Sequence, residues 1–194
     1  MVLSNFTMYL LIVNVVGFIF ASINFLLYHF TDEGQIDKLV TLVVLLFGSL
    51  GVLLSILLFG RKIVKENLMS RVFIFTVFVI QIVILLFVKG HHAERITFAV
   101  WDFFATHKIL VVYLLVINFI AFAMYAWDKI SALEGNTRIR NVTLLGVAFI
   151  GGSLGGLIAV YLFHHKTQKD YYVVGLPLMI IMQVFVIFYL MNMK

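Results

Sequence analysis

Residues 48–66 read GSLGVLLSILLFGRKIVKE, and residues 152–170 read GSLGGLIAVYLFHHKTQKD. Laid on one another without a gap, nine of the 19 positions are identical, at a constant offset of 104 residues. Leu and Phe coincide by chance in any apolar chain, but two Gly, a Ser and two Lys in one register do not. The same offset sets MYLLIVNVVGF (8–18) on VYLLVINFIAF (112–122), pairing Tyr9, Asn14 and Phe18 with Tyr113, Asn118 and Phe122. Self-similarity at a fixed period marks a tandem duplication, and the fold is expected to be built twice.

The surrounding composition says what is being repeated. Of 194 residues, 63% are hydrophobic and 12% charged, against roughly 45–50% and 25% in soluble domains. Too few charges remain to cover a water-facing surface, which excludes a soluble enzyme or a nucleic-acid-binding domain. The net charge of +5 comes from cations in short segments between apolar runs, as the positive-inside rule places them. Without cysteine there is no disulfide, iron–sulfur cluster or thiolate zinc site. Six runs approach the length of about 20 residues that a membrane helix needs: 6–30, 39–59, 72–88, 109–127, 142–163 and 173–191. The first lacks a basic n-region and a small-x-small cleavage site, so it is expected to stay as a span rather than be removed as a signal peptide. These runs do not alternate as barrel strands would, and in lipid their backbones must bond within the segment.

The expected fold is therefore an all-α integral membrane protein of six transmembrane helices. Residues 1–88 form a first three-helix repeat, 89–108 a linker, and 109–194 a second three-helix repeat. Glu94 to Lys108 is too polar to span and is expected to lie at the interface as an amphipathic helix or to extend the fourth span. Three crossings per half would invert the second half relative to the first, as in many transporters. On that path Lys and Arg divide eight to six between the faces, a weak bias that puts both termini in the cytoplasm of a bacterial cell membrane.

Three groups of residues are candidate sites. Asn14, Ser49, Gln81, Asn118, Ser153 and Gln183 lie near mid-depth, one in each run. They either bond across helices or line a midplane site for an ion or small solute. Gly48 and Gly51, with Gly151, Gly152, Gly155 and Gly156, are small residues that let helix backbones approach closely, and the second and fifth runs are expected to cross through them. Asp128, Lys129 and Arg138, together with His165, Lys166 and Lys169, form charged sets that could hold an anionic headgroup or a buried ion pair. Asp128 is expected to pair with Arg138, Arg140 or Lys129. Adjacent histidines such as His164–His165 point about 100° apart on a helix, so no metal site is expected, and no cofactor or catalytic set is legible.

From Tyr113 to Lys169 the chain also resembles the bacterial domain-of-unknown-function 1294 family of small membrane proteins. The family's pattern appears as Asn118 and Phe122, then Asp128, Lys129 and Ala132, then Gly135, Arg138 and Ile139. It continues with Gly151 and Gly152, and ends with His165, Lys166, Thr167 and Lys169. His164 replaces the usual Arg. The first half is a degraded copy, with Asn24 and Phe25 at the Asp-Lys positions. The resemblance implies membrane residence and no particular activity. Some relatives carry a cold-shock domain that this chain lacks, so no nucleic-acid partner is implied. The charged signature survives only in the second half, which is therefore expected to carry the chemistry. The expected function is that of a non-enzymatic channel, uniporter or lipid or solute transporter whose partners are the bilayer, anionic headgroups or a small ion. The alternative is a membrane assembly factor with no permeation path.

Overall fold

A computed structural model describes residues 4–30, 37–60, 67–91, 93 and 96–193. Among them there are helices and turns and no strand. Six helical stretches are long and apolar enough to cross a membrane: Asn5–Leu27, Lys38–Phe59, Leu68–Val88, Lys108–Leu133, Asn141–Leu162 and Asp170–Asn192. They are the six apolar runs of the sequence. The chain divides into two compact units, Met1–Gln81 and Ile82–Lys194.

In the first unit, α1 (Asn5–Phe30) is followed by α2 (Asp37–Val43), α3 (Ser49–Phe59) and the opening turns of α4 (Leu68–Val88). α2 and α3 are not one rod. Between them Leu46 leaves helical geometry (ψ 24°) and Phe47 enters the left-handed region (φ 72°), which bulky residues rarely occupy. The contacts give the direction after that break. Tyr9 reaches Leu46, Asn14 reaches Phe47 and Gly51, Ser22 meets Ser55, and Gly60 lies against Phe25. Partner numbers rise together, so α3 runs parallel to α1. A straight helix following α1 through residues 31–36 would run antiparallel. The second run thus enters, reverses at Phe47 and returns. α4 then descends beside it, with Arg71 donating to the Gly60 carbonyl and Gln81 reaching Val44 and Ser49. Ala21, Val44, Val52, Leu53, Ile56, Ile74 and Val77 form the core between them.

The second unit repeats this path. α5 (Val100–Thr106) leads into α6 (Lys108–Leu133), then α7 (Asn141–Val147), α8 (Ser153–Leu162), α9 (Asp170–Val173) and α10 (Gly175–Asn192). The break falls at Gly151, with φ 139°, a conformation open to glycine because it has no Cβ. Tyr113 bonds Ile150, Asn118 bonds Gly151 and Gly155, Phe122 stacks near Phe163, and Asp128 meets His165. α8 is therefore parallel to α6. A straight helix from Asn141 to Leu162 would part its ends by about 31 Å, and four further residues cover only about 14 Å. Yet Lys166 Nζ donates to Asn141 Oδ1 at 2.9 Å. The run doubles back on itself, and the expectation of straight second and fifth crossings is corrected.

The glycines are corrected with it. A Cβ on Gly51 would fall on the Asn14 carbonyl of α1, and one on Gly155 on the Asn118 carbonyl of α6. Gly48 faces Val13 of α1, while Gly152 faces Ile117 and Ala121 of α6. Close approach thus serves each hairpin's seat on the long helix of its own unit. Gly156 instead backs onto Tyr125 and Leu176. Among the described residues of the linker, α5 is helical and Lys108 opens α6. Trp101 is 88% exposed and Phe103 is buried. Asn192 fastens the strip before α5 to the end of α10, accepting from the Thr97 N–H at 2.7 Å and donating to the Thr97 carbonyl at 3.2 Å.

Candidate functional site

A helix that reverses inside an apolar slab strips its backbone carbonyls of intrahelical donors, and lipid offers no replacement. The mid-depth polar residues supply them. Tyr9 donates to the Leu46 carbonyl at 3.0 Å and Asn14 to the Phe47 carbonyl at 3.0 Å, while Asn14 Oδ1 accepts the Gly51 N–H at 2.9 Å. Gln81 Nε2 donates to the Val44 carbonyl, and its Oε1 accepts from Ser49. In the second unit Tyr113 donates to the Ile150 carbonyl at 2.6 Å and Asn118 to the Gly151 carbonyl at 2.9 Å. Asn118 Oδ1 accepts the Gly155 N–H at 2.8 Å. Gln183 donates to the Ala148 carbonyl at 2.8 Å and accepts from Ser153. Every bond of the tyrosine and asparagine set recurs 104 residues later, and the glutamines recur 102 residues apart. All six expected midplane residues are therefore brought to the hairpin tips. Tyr9 and Tyr113 join them at the tips, and their repeat register with Asn14 and Asn118 is the signal the sequence carries for them.

At the other end, where the second hairpin opens, charge collects. Asp128 is wholly buried on α6. Its Oδ1 accepts the Ile139 N–H at 3.0 Å, and its Oδ2 lies 2.6 Å from Lys166 Nζ and 3.0 Å from His165 Nε2. The ammonium is shared onward, with Asn141 Oδ1 at 2.9 Å and the Tyr172 hydroxyl at 3.3 Å. That hydroxyl donates to Asn141 Oδ1 at 3.1 Å, and Asn141 Nδ2 donates to Tyr171 at 3.2 Å. Burial holds Lys166 below its ordinary pKa of 10.5 despite the opposing pull of Asp128, and Arg138 pushes the same way as burial. The turn that delivers these groups is strained: His164 has φ 45° and Lys166 φ 64°, in the region L-residues occupy at a cost.

The charged residues read from the sequence thus divide. Asp128, His165 and Lys166 come together. Lys129, Arg138 and Arg140 do not hold Asp128, whose oxygens take Ile139, His165 and Lys166 instead. Arg138 and Lys169 are exposed and Lys129 is half-buried. The pairing expected with Arg138, Arg140 or Lys129 assumed that His165 lay on the opposite face of the membrane, and the reversal at Gly151 removes that separation. Asn141, Tyr125, Tyr171 and Tyr172 join Asp128, His165 and Lys166 without any motif or repeat signal in the sequence. Tyr125 stacks edge-on against Tyr172 at 5.5 Å, is 2% exposed, and its hydroxyl has no partner among the described residues. Among the same residues no cluster of His, Asp or Glu could hold a metal ion.

Six helices long and apolar enough to cross a membrane, with no strand among the described residues, define the chain as a multi-pass helical membrane protein. Residues 118–172 match the family described as "Protein of unknown function (DUF1294)", and the chain belongs to that family. The matched stretch opens at Asn118, which seals the hairpin tip, and ends at Tyr172 in the network at its mouth. The chain is also similar to the uncharacterized protein YsdA of Bacillus subtilis (strain 168), at 30% identity over 79 residues covering 41% of this chain and 89% of that protein. No solved structure matches.

Proposed function

We propose that this chain is a small transport protein for an ion or small solute, built by tandem duplication of a span, a re-entrant hairpin and a second span. The observation that carries this reading is the pair of helices broken within the apolar depth. Non-helical backbone at that depth occurs where it is buried in protein or lines a path, and transporters place such breaks in corresponding positions of their halves. The duplication is supported by the recurrence of the tip bonds, and by a relative that is almost wholly accounted for by one unit's worth of sequence.

On this path each repeat crosses twice, rather than the three times that inversion of the second half requires. In this reading the second repeat carries the chemistry through Asp128, His165 and Lys166. The first, with Asn24 at the corresponding position, is its structural counterpart; Arg61 and Lys62, opposite His165 and Lys166 by register, lie outside the described residues.

The test is a flux panel of monovalent ions, divalent ions and small neutral solutes in proteoliposomes. Uptake of at least one solute, lost in Gly155→Leu, is expected. Intact vesicles holding folded protein but passing nothing would refute transport. That outcome would favour a second reading, a membrane scaffold without a path, which also has an observation behind it: all six midplane residues are spent on sealing the tips.

A further inference from the structure

The re-entrant path redistributes the charges, and with them the sidedness of the chain. If each hairpin returns to the face it entered from, the segments flanking its mouth are 31–38 and 60–71 in the first unit, and 129–140 and 164–170 in the second. They carry one, four, three and two of the Lys and Arg residues, ten of the chain's 14. Four lie away from the mouths, namely Lys89, Arg95, Lys108 and Lys194. On six straight crossings the same residues divide eight to six. The positive-inside rule counts Lys and Arg in short loops near the membrane ends, and all of these qualify. Acidic residues offer no counter-argument, since they contribute little to orientation.

We infer that the hairpin mouths face the cytoplasm and that Ser4 and Met193 lie on the external face. This reverses the sidedness that the straight path favours. It rests on the re-entrant reading proposed above and goes beyond it, because hairpins alone leave two orientations open. Its functional consequence is that the Asp128–Lys166–His165 network opens toward the cytoplasm, so any solute or partner that meets it does so from inside the cell. The exposed Arg138 and Arg140 on the same face then lie where anionic headgroups supply a negative surface potential.

The absence of cysteine in the full chain makes labelling direct. Ser4→Cys, Thr137→Cys, Gln168→Cys and Met193→Cys each replace an exposed residue and are treated with a membrane-impermeant maleimide. Intact right-side-out vesicles should label Ser4→Cys and Met193→Cys, and label Thr137→Cys and Gln168→Cys only after permeabilisation. External labelling of both Thr137→Cys and Gln168→Cys would overturn the orientation and leave the hairpin standing. Labelling of these two from different faces would overturn the hairpin and the inference together. A variant that stays unlabelled even in denaturant is replaced by its exposed neighbour, Asn136→Cys or Lys169→Cys.

Discussion

Asp128 is the residue on which the second unit turns, because one carboxylate joins both ends of a hairpin to α6. Removing one partner of a buried ion pair leaves the other desolvated and uncompensated, at a cost of about 3–5 kcal/mol. Asp128→Asn should therefore lower thermal stability in detergent severely, whereas Lys129→Gln, at a half-buried side chain that does not bond Asp128, should leave the melting curve near that of the parent. Tyr125 supplies a sharper test. A buried hydroxyl without a partner costs about 1–3 kcal/mol, so Tyr125→Phe should raise the melting temperature. A fall would reveal a water or ligand on that hydroxyl. Lys166 sets a pH dependence. Its folded pKa lies below 10.5, so between that depressed value and 10.5 the unfolded chain binds the proton that the folded chain has lost, and this contribution to stability rises with pH. The melting-temperature advantage of the parent over Lys166→Met should grow as pH climbs through that window; a shrinking advantage would contradict the assignment.

The elements that matter most are the two reversals, and they show where a sequence stops being legible. Run length and hydropathy identify all six apolar stretches, because lipid forces backbone bonding within each segment. A run that is apolar all round carries no periodicity to say whether it crosses or returns, since hairpin and rod present the same residues to lipid. Gly151 and Gly152 were visible as glycines, but glycine serves packing and chain reversal alike, and Phe47 in a left-handed conformation has no signature at all. The eight-to-six charge balance on a straight path is too weak to say whether a run crosses or returns. Asn118 and Asn14 seal the reversals, each with a donor and an acceptor engaged, and interhelical bonds of this kind contribute around 0.6–2 kcal/mol. Asn118→Leu should destabilise the second unit more than Asn118→Gln, which keeps both functions at an altered reach. Equal losses, measured by thermal unfolding in detergent, would argue that the amide only fills space.

At the scale of the whole molecule, the central feature is that each apolar hairpin returns to the face it left. Sidedness and the meeting of Asp128 with His165 and Lys166 both depend on it. The exposed pair Thr137 and Gln168 flanks the second hairpin, and the cysteine-free chain accepts a spin label at each after substitution by cysteine. A pulsed dipolar distance between the two labels in lipid nanodiscs tests the claim directly. One short distance is expected, because Lys166 and Asn141 are in contact across the same mouth at 2.9 Å. A distance of about 30 Å or more, the length of a straight helix through this run, would contradict it.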